Sequence, residues 1–261
     1  MLATNSNIKF SIVTVVYNGA TFIEETIQSV IHQNYSNYEY IIIDGASTDN
    51  TLDIVKAYRN NLHYFISEKD EGMYHAINKG IAQATGDYIL ILNSDDYLYN
   101  SNALSEISNQ INQHQFDFFY CDIIRKKENI YRKIKLRKYS LDEVLCSEHC
   151  TFVPHPSFFI SREFIKQHKL SYDLKYKYAS DFDYILKTMR HSSNNYKHLK
   201  IFSTVFRDHP NSITSSGKIN NERLAILENW NVEKISVLKR FFLYYSNWIM
   251  YKIRTCEKYR Q

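Results

Sequence analysis

Gly86-Asp87-Tyr88-Ile89-Leu90-Ile91-Leu92-Asn93-Ser94-Asp95-Asp96 decides the reading of the fold. A turn residue opens it. The apolar run from Tyr88 to Leu92 has the pattern of a strand buried on both faces, and it stops at two adjacent carboxylates. Acids delivered to the C-terminal end of a buried strand stand where open α/β sheets hold ligands. Two such acids repel each other unless a cation or a donor sits between them, a demand that an oxygen-seeking divalent metal and a diphosphate would meet. For acids after a strand in general, a plain turn that caps the next helix is the commoner explanation. The rest of the N-terminal half reverses that balance.

Upstream, Phe10 to Val16 is apolar and β-branched and ends at Tyr17-Asn18-Gly19, a strand and a turn. Phe22, Ile23, Ile27, Val30 and Ile31 then recur at helical spacing, with Thr21 as the expected N-cap and Glu24 three residues on. Tyr40 to Ile43 is a second strand ending on Asp44-Gly45, and Ser47 to Thr51 is expected to cap a helix bearing Leu52, Ile54, Val55 and Tyr58. A third strand, about His63 to Ile66, leads through Asp70 into a helix with Ile77, Ile81 and Ala84. Four strands alternating with three helices predict a parallel sheet of right-handed βαβ units. Asp44, Asp70 and Asp95-Asp96 then share one edge, which makes that edge a candidate site. Neither G-x-x-x-x-G-K-[ST] nor G-x-G-x-x-G occurs, so a P-loop and a dinucleotide fingerprint are both excluded.

Composition narrows the class. At 261 residues the chain can bury a sizeable core, and a formal charge of +4 gives no nucleic-acid footprint. Cys121, Cys146, Cys150 and Cys256 lack framework spacing and no signal pattern opens the chain, so a reducing cytoplasmic compartment is expected. Cys146, His149, Cys150 and His155 fit no usual zinc spacing, and free thiols are the expectation.

Four pieces in order resemble family 2 of the inverting glycosyltransferases, with the GT-A fold: Ser11 to Asn18, Ile43 to Thr51, Asp70 to Gly80, and Gly86 to Asp96. The resemblance is close over roughly residues 8 to 100 and looser to about 210. It implies an α/β, Rossmann-like, mostly parallel sheet flanked by helices. It also implies a nucleotide-sugar donor, commonly a UDP-sugar, and a glycan acceptor, often lipid-linked in this family, in surface-polysaccharide synthesis. Carried over residue by residue, Tyr17 and Asp44 would meet the base and ribose, with Asp70 a second base contact. Asp95 would bind the divalent metal, Mn2+ or Mg2+, with Asp96 as the alternative ligand. Asn93 stands where many relatives have the first Asp of D-x-D; its amide can still bond ribose but brings no charge. Lys79 is a candidate point charge for the diphosphate, or else a solvent-facing helix lysine.

In the acceptor half, a helix bearing Ala103, Leu104, Ile107 and Ile111 precedes an aromatic strand from Phe116 to Tyr120. Residues 125 to 138 alternate basic with apolar side chains, as in a solvated hairpin edge; a phosphate-binding or membrane-facing role is the sharper reading. His155, between two prolines, resembles the family's pocket histidine. Asp181, near the start of a helix, matches the family's general base, although Ser180 replaces the usual Glu before it. The helix dipole favours the charged carboxylate there, and Asp183 is the expected neighbour that would restore basicity. A simple N-cap at Ser180 or Asp181 is the plainer alternative. His209 is a candidate contact to metal or phosphate in the closing loop.

The chain thus divides into a glycosyltransferase domain over residues 1 to 215 and a C-terminal helical extension over 216 to 261. The aromatic centre of that extension, Phe241 to Tyr251, is shorter than the roughly 20 residues of a spanning helix. Its basic flanks suit a helix lying on the inner face of the cytoplasmic membrane; packing on the domain or a dimer seam is the alternative. Two rival classes remain, a sugar nucleotidyltransferase and a non-catalytic nucleotide- or sugar-binding protein. The first expects a glycine-rich basic loop after the first strand, and Tyr17 to Ala20 is not one.

Overall fold

The computed structural model describes residues 8–111, 114–146, 153–210, 212 and 218–230. Its first half follows the predicted alternation: β1 (Phe10–Val16), α1 (Ile23–Ile31), β2 (Tyr38–Asp44), α2 (Thr51–Ala57), β3 (Tyr64–Ser67), α3 (Met73–Gln83) and β4 (Tyr88–Ile91). These strands pair in parallel in the order β3-β2-β1-β4. Val16, Asp44 and Ser67 are register partners, so the strand ends form one edge.

The second half adds β5 (Tyr97–Leu98), α4 (Ala103–Ile111), β6 (Phe118–Lys127), β7 (Ile130–Ile134), α5 (Leu141–Leu145), β8 (Phe158–Ser161), α6 (Arg162–His168), α7 (Ser180–His191), β9 (Tyr196–Asp208) and α8 (Lys218–Asn229). The sheet continues from β4 through β8, β6 and β9 to β5, with β7 hairpinned onto β6. β8 runs antiparallel to both β4 and β6, whereas β6 and β9 are parallel.

Side-chain alternation along the strands feeds two apolar layers. Val13, Val15, Ile41, Ile43, Ile89 and Ile91 face α3 and the later helices α5 to α7. Phe10, Ile12, Tyr40, Ile42 and Leu90 face α1, α2 and α4. At Gly80 in α3 a methyl group would collide with Val13 of β1, so glycine sets how closely that helix approaches the sheet.

Three local expectations change. The N-cap of α1 is Phe22, with no side-chain cap; the Gly19 carbonyl accepts from the Phe22 and Ile23 amides, so the turn itself starts the helix and Thr21 is not needed. Asn50 heads α2 without a side-chain bond; within the expected capping segment the bond comes from Asp49, whose Oδ1 accepts from the Thr51 amide at 3.0 Å, while Ser47 is drawn to Asp44. The aromatic strand extends through the charged residues to Lys127, since β9 pairs along its whole length across an irregularity at Cys121 to Ile123. Cys121 is a buried free thiol, while His149 and Cys150 of the considered zinc cluster lie outside the described residues.

The start of the predicted C-terminal extension belongs to the core. Ile226 of α8 is fully buried against the α7 side, and Trp230 reaches Asp183. Residues 231 to 261, which hold the proposed interfacial helix, lie outside the described residues.

Candidate functional site

The loops leaving β1, β2 and β3 are tied together by polar side chains. Asn18 takes a left-handed conformation (φ 51°), its amide donates to Ser47 Oγ at 2.8 Å, and its side chain accepts from the Thr48 amide at 2.8 Å. Asp44 is wholly buried and accepts from the Ser47 amide (3.0 Å), Ser47 Oγ (2.5 Å) and Ser67 Oγ (2.6 Å). The direct base or ribose contact expected of Asp44 is therefore corrected: three protein donors enclose its carboxylate, and it shapes the edge through the loops it holds.

Tyr17 and Asp70 remain open. Tyr17 is 65% exposed although it follows a buried strand. Asp70 Oδ1 accepts from the Gly72 amide at 2.8 Å, while a Cβ on Gly45 would lie 2.8 Å from Asp70 Oδ2 and 3.5 Å from Tyr17 Cβ. Gly45 thus leaves room for the Asp70 carboxylate beside the base of the Tyr17 side chain. Lys79, expected near the diphosphate, is instead ion-paired with Glu68 at 2.7 Å, because α3 runs beside the β3 loop.

The two acids after β4 differ in environment. Asp96 is 1% exposed, with Oδ1 accepting from the Arg207 amide (2.9 Å) and Oδ2 from Asn93 Nδ2 (3.3 Å). Burial pushes its carboxyl well above the usual range and repulsion from Asp95 adds to this, against the opposing Arg207 and Asn93 hydrogen bonds. Asp95 keeps a partly exposed side chain, and its Oδ2 lies 2.9 Å from His209 Nε2. Asn93 Oδ1 is buried beside them without a protein partner, an acceptor left for a ligand's donor.

Arg207 fastens this corner. Its Nε donates to the Asp95 carbonyl (2.8 Å), its Nη2 to Glu25 Oε2 (2.6 Å), and its guanidinium lies 4.5 Å from the centre of the Phe22 ring. Thr26 Oγ1 is within 2.8 Å of the Ser94 carbonyl and 2.7 Å of the Asp96 carbonyl. Glu25 and Thr26 escape the sequence reading because they stand on a helical face whose partner is 68 or more residues distant.

Asp181 lies in the first turn of α7, whose N-cap is Ala179 and not Ser180 or Asp181. Glu222 of α8 accepts the amides of Lys177, Tyr178 and Ala179 at 2.7–2.9 Å and so fixes the entry to α7. Asp181 Oδ1 accepts from the Tyr74 hydroxyl at 3.2 Å. Burial, then the Asp181 charge, raises the Tyr74 phenol far above its ordinary value, so Tyr74 is the donor. Tyr74 stacks on Tyr172, which stacks on Tyr184.

His155 and Asp183 depart from expectation. His155 is buried with Nε2 2.7 Å from the Tyr172 hydroxyl, so it backs the tyrosine layer and does not line an open pocket. Burial pushes its imidazole below the ordinary value, with the Asp181 charge opposing. Asp183 is buried against Lys187 at 2.6 Å; residues two apart on a helix do not share a face, so it is no neighbour for the Asp181 carboxylate.

The strand ends therefore carry an exposed tyrosine close to Asp70 and a partly exposed carboxylate with a histidine, and the first turn of α7 adds a carboxylate bonded by a buried tyrosine. Residues 11–181 match the model of glycosyl transferase family 2. The chain belongs to that family. As a glycosyltransferase of family 2 it is 28% identical over 200 residues to a PGL/p-HBAD biosynthesis glycosyltransferase of Mycobacterium bovis, covering 74% of this chain and 75% of that one. Its fold resembles that of Staphylococcus aureus TarS residues 1–349 in complex with UDP-GlcNAc: TM-score 0.69, 22% identity, 84% of this chain and 65% of that one. Against a longer TarS structure the match spans 39% of that chain. The mannosyltransferase PcManGT of Pyrobaculum calidifontis, in complex with GDP-Man and Mn2+, has TM-score 0.63 at 16% identity, over 89% of this chain and 67% of that one.

Among the described residues no group of three His, Cys, Asp or Glu side chains could hold a metal ion. Asp95 and His209 supply one oxygen and one nitrogen, a pair that would suit a divalent ion only if a ligand's oxygens or water completed its shell. No helix among the described residues is long and apolar enough to cross a membrane.

Proposed function

We propose that this glycosyltransferase moves a sugar from a UDP-sugar to a hydroxyl of a growing, lipid-linked glycan, with inversion, at the inner face of the cytoplasmic membrane. The reading rests on the Asp95–His209 pair at 2.9 Å beside the unpartnered Asn93 Oδ1, on the same sheet edge as Tyr17 and Asp70. Tyr17 offers an exposed ring to the uracil base, Asp70 accepts from the base, and Asn93 accepts from a ribose hydroxyl.

Asp95 and His209 would hold a divalent metal, which when bound neutralises charge on the departing diphosphate. Asp181 takes the proton from the acceptor hydroxyl as that oxygen attacks the anomeric carbon, and the bond to the diphosphate oxygen breaks on the opposite face. One displacement inverts the centre. Tyr74 occupies one side of the Asp181 carboxylate and leaves the other for the acceptor. The relatives' names support a polymer acceptor, since TarS is a poly(ribitol-phosphate) β-N-acetylglucosaminyltransferase.

Calorimetric titration of UDP with and without manganese tests this, on wild type and Asp95→Ala. Metal-dependent binding abolished by the substitution is expected. Equal binding by both proteins would refute the site.

A further inference from the structure

Residues 125 to 138 contain eight Lys or Arg and one acid, on the protruding hairpin of β6 and β7 and the chain just after it. The turn is Glu128-Asn129, with Glu128 at φ 52°, a two-residue connection of the kind that matches strand twist. Cross-strand pairs sort the charges by face. Lys126 faces Tyr131, and both turn back on the body: Lys126 Nζ lies over the Tyr97 and Tyr131 rings and 3.8 Å from Glu25. The other face pairs Arg125 with Arg132 and Lys127 with Ile130. Arg125 is neutralised by Asp208, but Lys127, Arg132 and Lys135 have no carboxylate partner among the described residues.

β7 pairs only with β6 among the described residues, so it is an edge strand, and lysines on an edge ordinarily discourage pairing with other chains. That role accounts for the charges and not for Ile130, which is 56% exposed among them on the face away from the body. Edge protection would favour a polar residue there. A hydrated polyanion would leave it in water as well. A bilayer interface takes both features, an aliphatic side chain at interfacial depth with cations against lipid phosphates.

Position supports the same occupant. Lys127 is the register partner of Asp208, the residue before His209, so the hairpin stands beside the proposed diphosphate corner. We infer that the β6–β7 hairpin is a docking element for an anionic phospholipid surface, seated through Ile130 and held by Lys127, Arg132 and Lys135. It extends the reading of a lipid-linked acceptor, because docking there would bring the catalytic edge to the headgroup layer.

Vesicle flotation of the full chain tests the inference without any transfer assay, so it can fail while the glycosyltransferase reading stands. The probes are vesicles of phosphatidylcholine alone and of phosphatidylcholine mixed with phosphatidylglycerol. Binding to the mixed vesicles only, weakened by salt, is expected. The double substitution Arg132→Glu, Lys135→Glu should lower it about tenfold or more. Ile130→Ser should lower it about threefold with charge unchanged. UDP affinity in each variant reports that the fold is intact. No binding to anionic vesicles, or binding untouched by both variants, overturns the inference. So does loss only on charge reversal, with soluble dextran sulfate competing and Ile130→Ser silent, since that pattern describes a polyanion site.

Discussion

The Tyr74 hydroxyl, at the N-terminal end of α3, donates to Asp181 Oδ1 in the first turn of α7, joining residues 107 positions apart. Tyr74 is itself fixed by its stack on Tyr172, whose hydroxyl meets His155. The candidate base is therefore aimed by a buried aromatic layer. Tyr74→Phe keeps the ring and removes only the donor. A hydrogen bond to a charged group is worth about 1.5–3 kcal/mol, so kcat should fall roughly tenfold to a hundredfold with KM for the donor little changed. Steady-state kinetics checks this; unaltered kcat would remove Tyr74 from the assignment.

Gly45 makes a separate prediction for the donor side. A methyl group there would press on Asp70 Oδ2, the mobile end of a partly exposed side chain, so the carboxylate must swing while the fold is kept. Loss of one base contact should weaken UDP binding about threefold to tenfold. Calorimetry of Gly45→Ala reads it directly, and unchanged affinity would exclude Asp70 as a base contact.

Much of this was legible in the chain. The strand and helix runs before residue 97 give the parallel sheet because β1, β2 and β4 are buried on both faces, and the places of Tyr17, Asp70, Asp95 and Asp181 follow from strand and helix ends. What escaped is long-range. Asp44 is enclosed because Ser47 and Ser67 converge on it, and Lys79 is captured by Glu68, which no local spacing states. Asp183 looked like a partner to Asp181 by sequence distance, yet helix geometry turns it to Lys187. His155 lost its open pocket to Tyr172, 17 residues on.

Stability should depend on acid through the opposite edge of the sheet. Glu39 of β2 accepts from Lys9 Nζ (2.7 Å), Ser11 Oγ (2.6 Å) and both the amide (2.5 Å) and hydroxyl (2.6 Å) of Thr85. Burial works against its charge, but these donors more than offset it and hold the carboxyl at about 2, below its ordinary 4.5. The folded chain favours the charged form, so the contribution is complete above 4.5 and is lost as pH falls toward 2. Its size is about 3 kcal/mol. Urea unfolding should find Glu39→Gln less stable than wild type at about pH 7, with the gap roughly halved at about pH 3 and mostly closed only near about pH 2. A gap that does not change with pH would contradict this.

Arg207 supplies the last prediction. One side chain bonds the Asp95 carbonyl and Glu25, and its own amide bonds Asp96, so β9, α1 and the β4 loop meet on a single residue. Lysine keeps the charge but has no planar fork to serve two acceptors in fixed directions. Arg207→Lys leaves the backbone bond to Asp96 in place while loosening the Asp95 carbonyl, and with it the angle at which the Asp95 carboxylate meets His209. A buried partner left unsatisfied costs about 1–3 kcal/mol, so the melting temperature should drop by several degrees. The informative readout is the metal dependence of UDP binding. It should weaken about tenfold with manganese and hardly at all without it, because only the metal arm needs Asp95 and His209 in register. Equal weakening in both arms would mean that Arg207 supports the loop but not the pair.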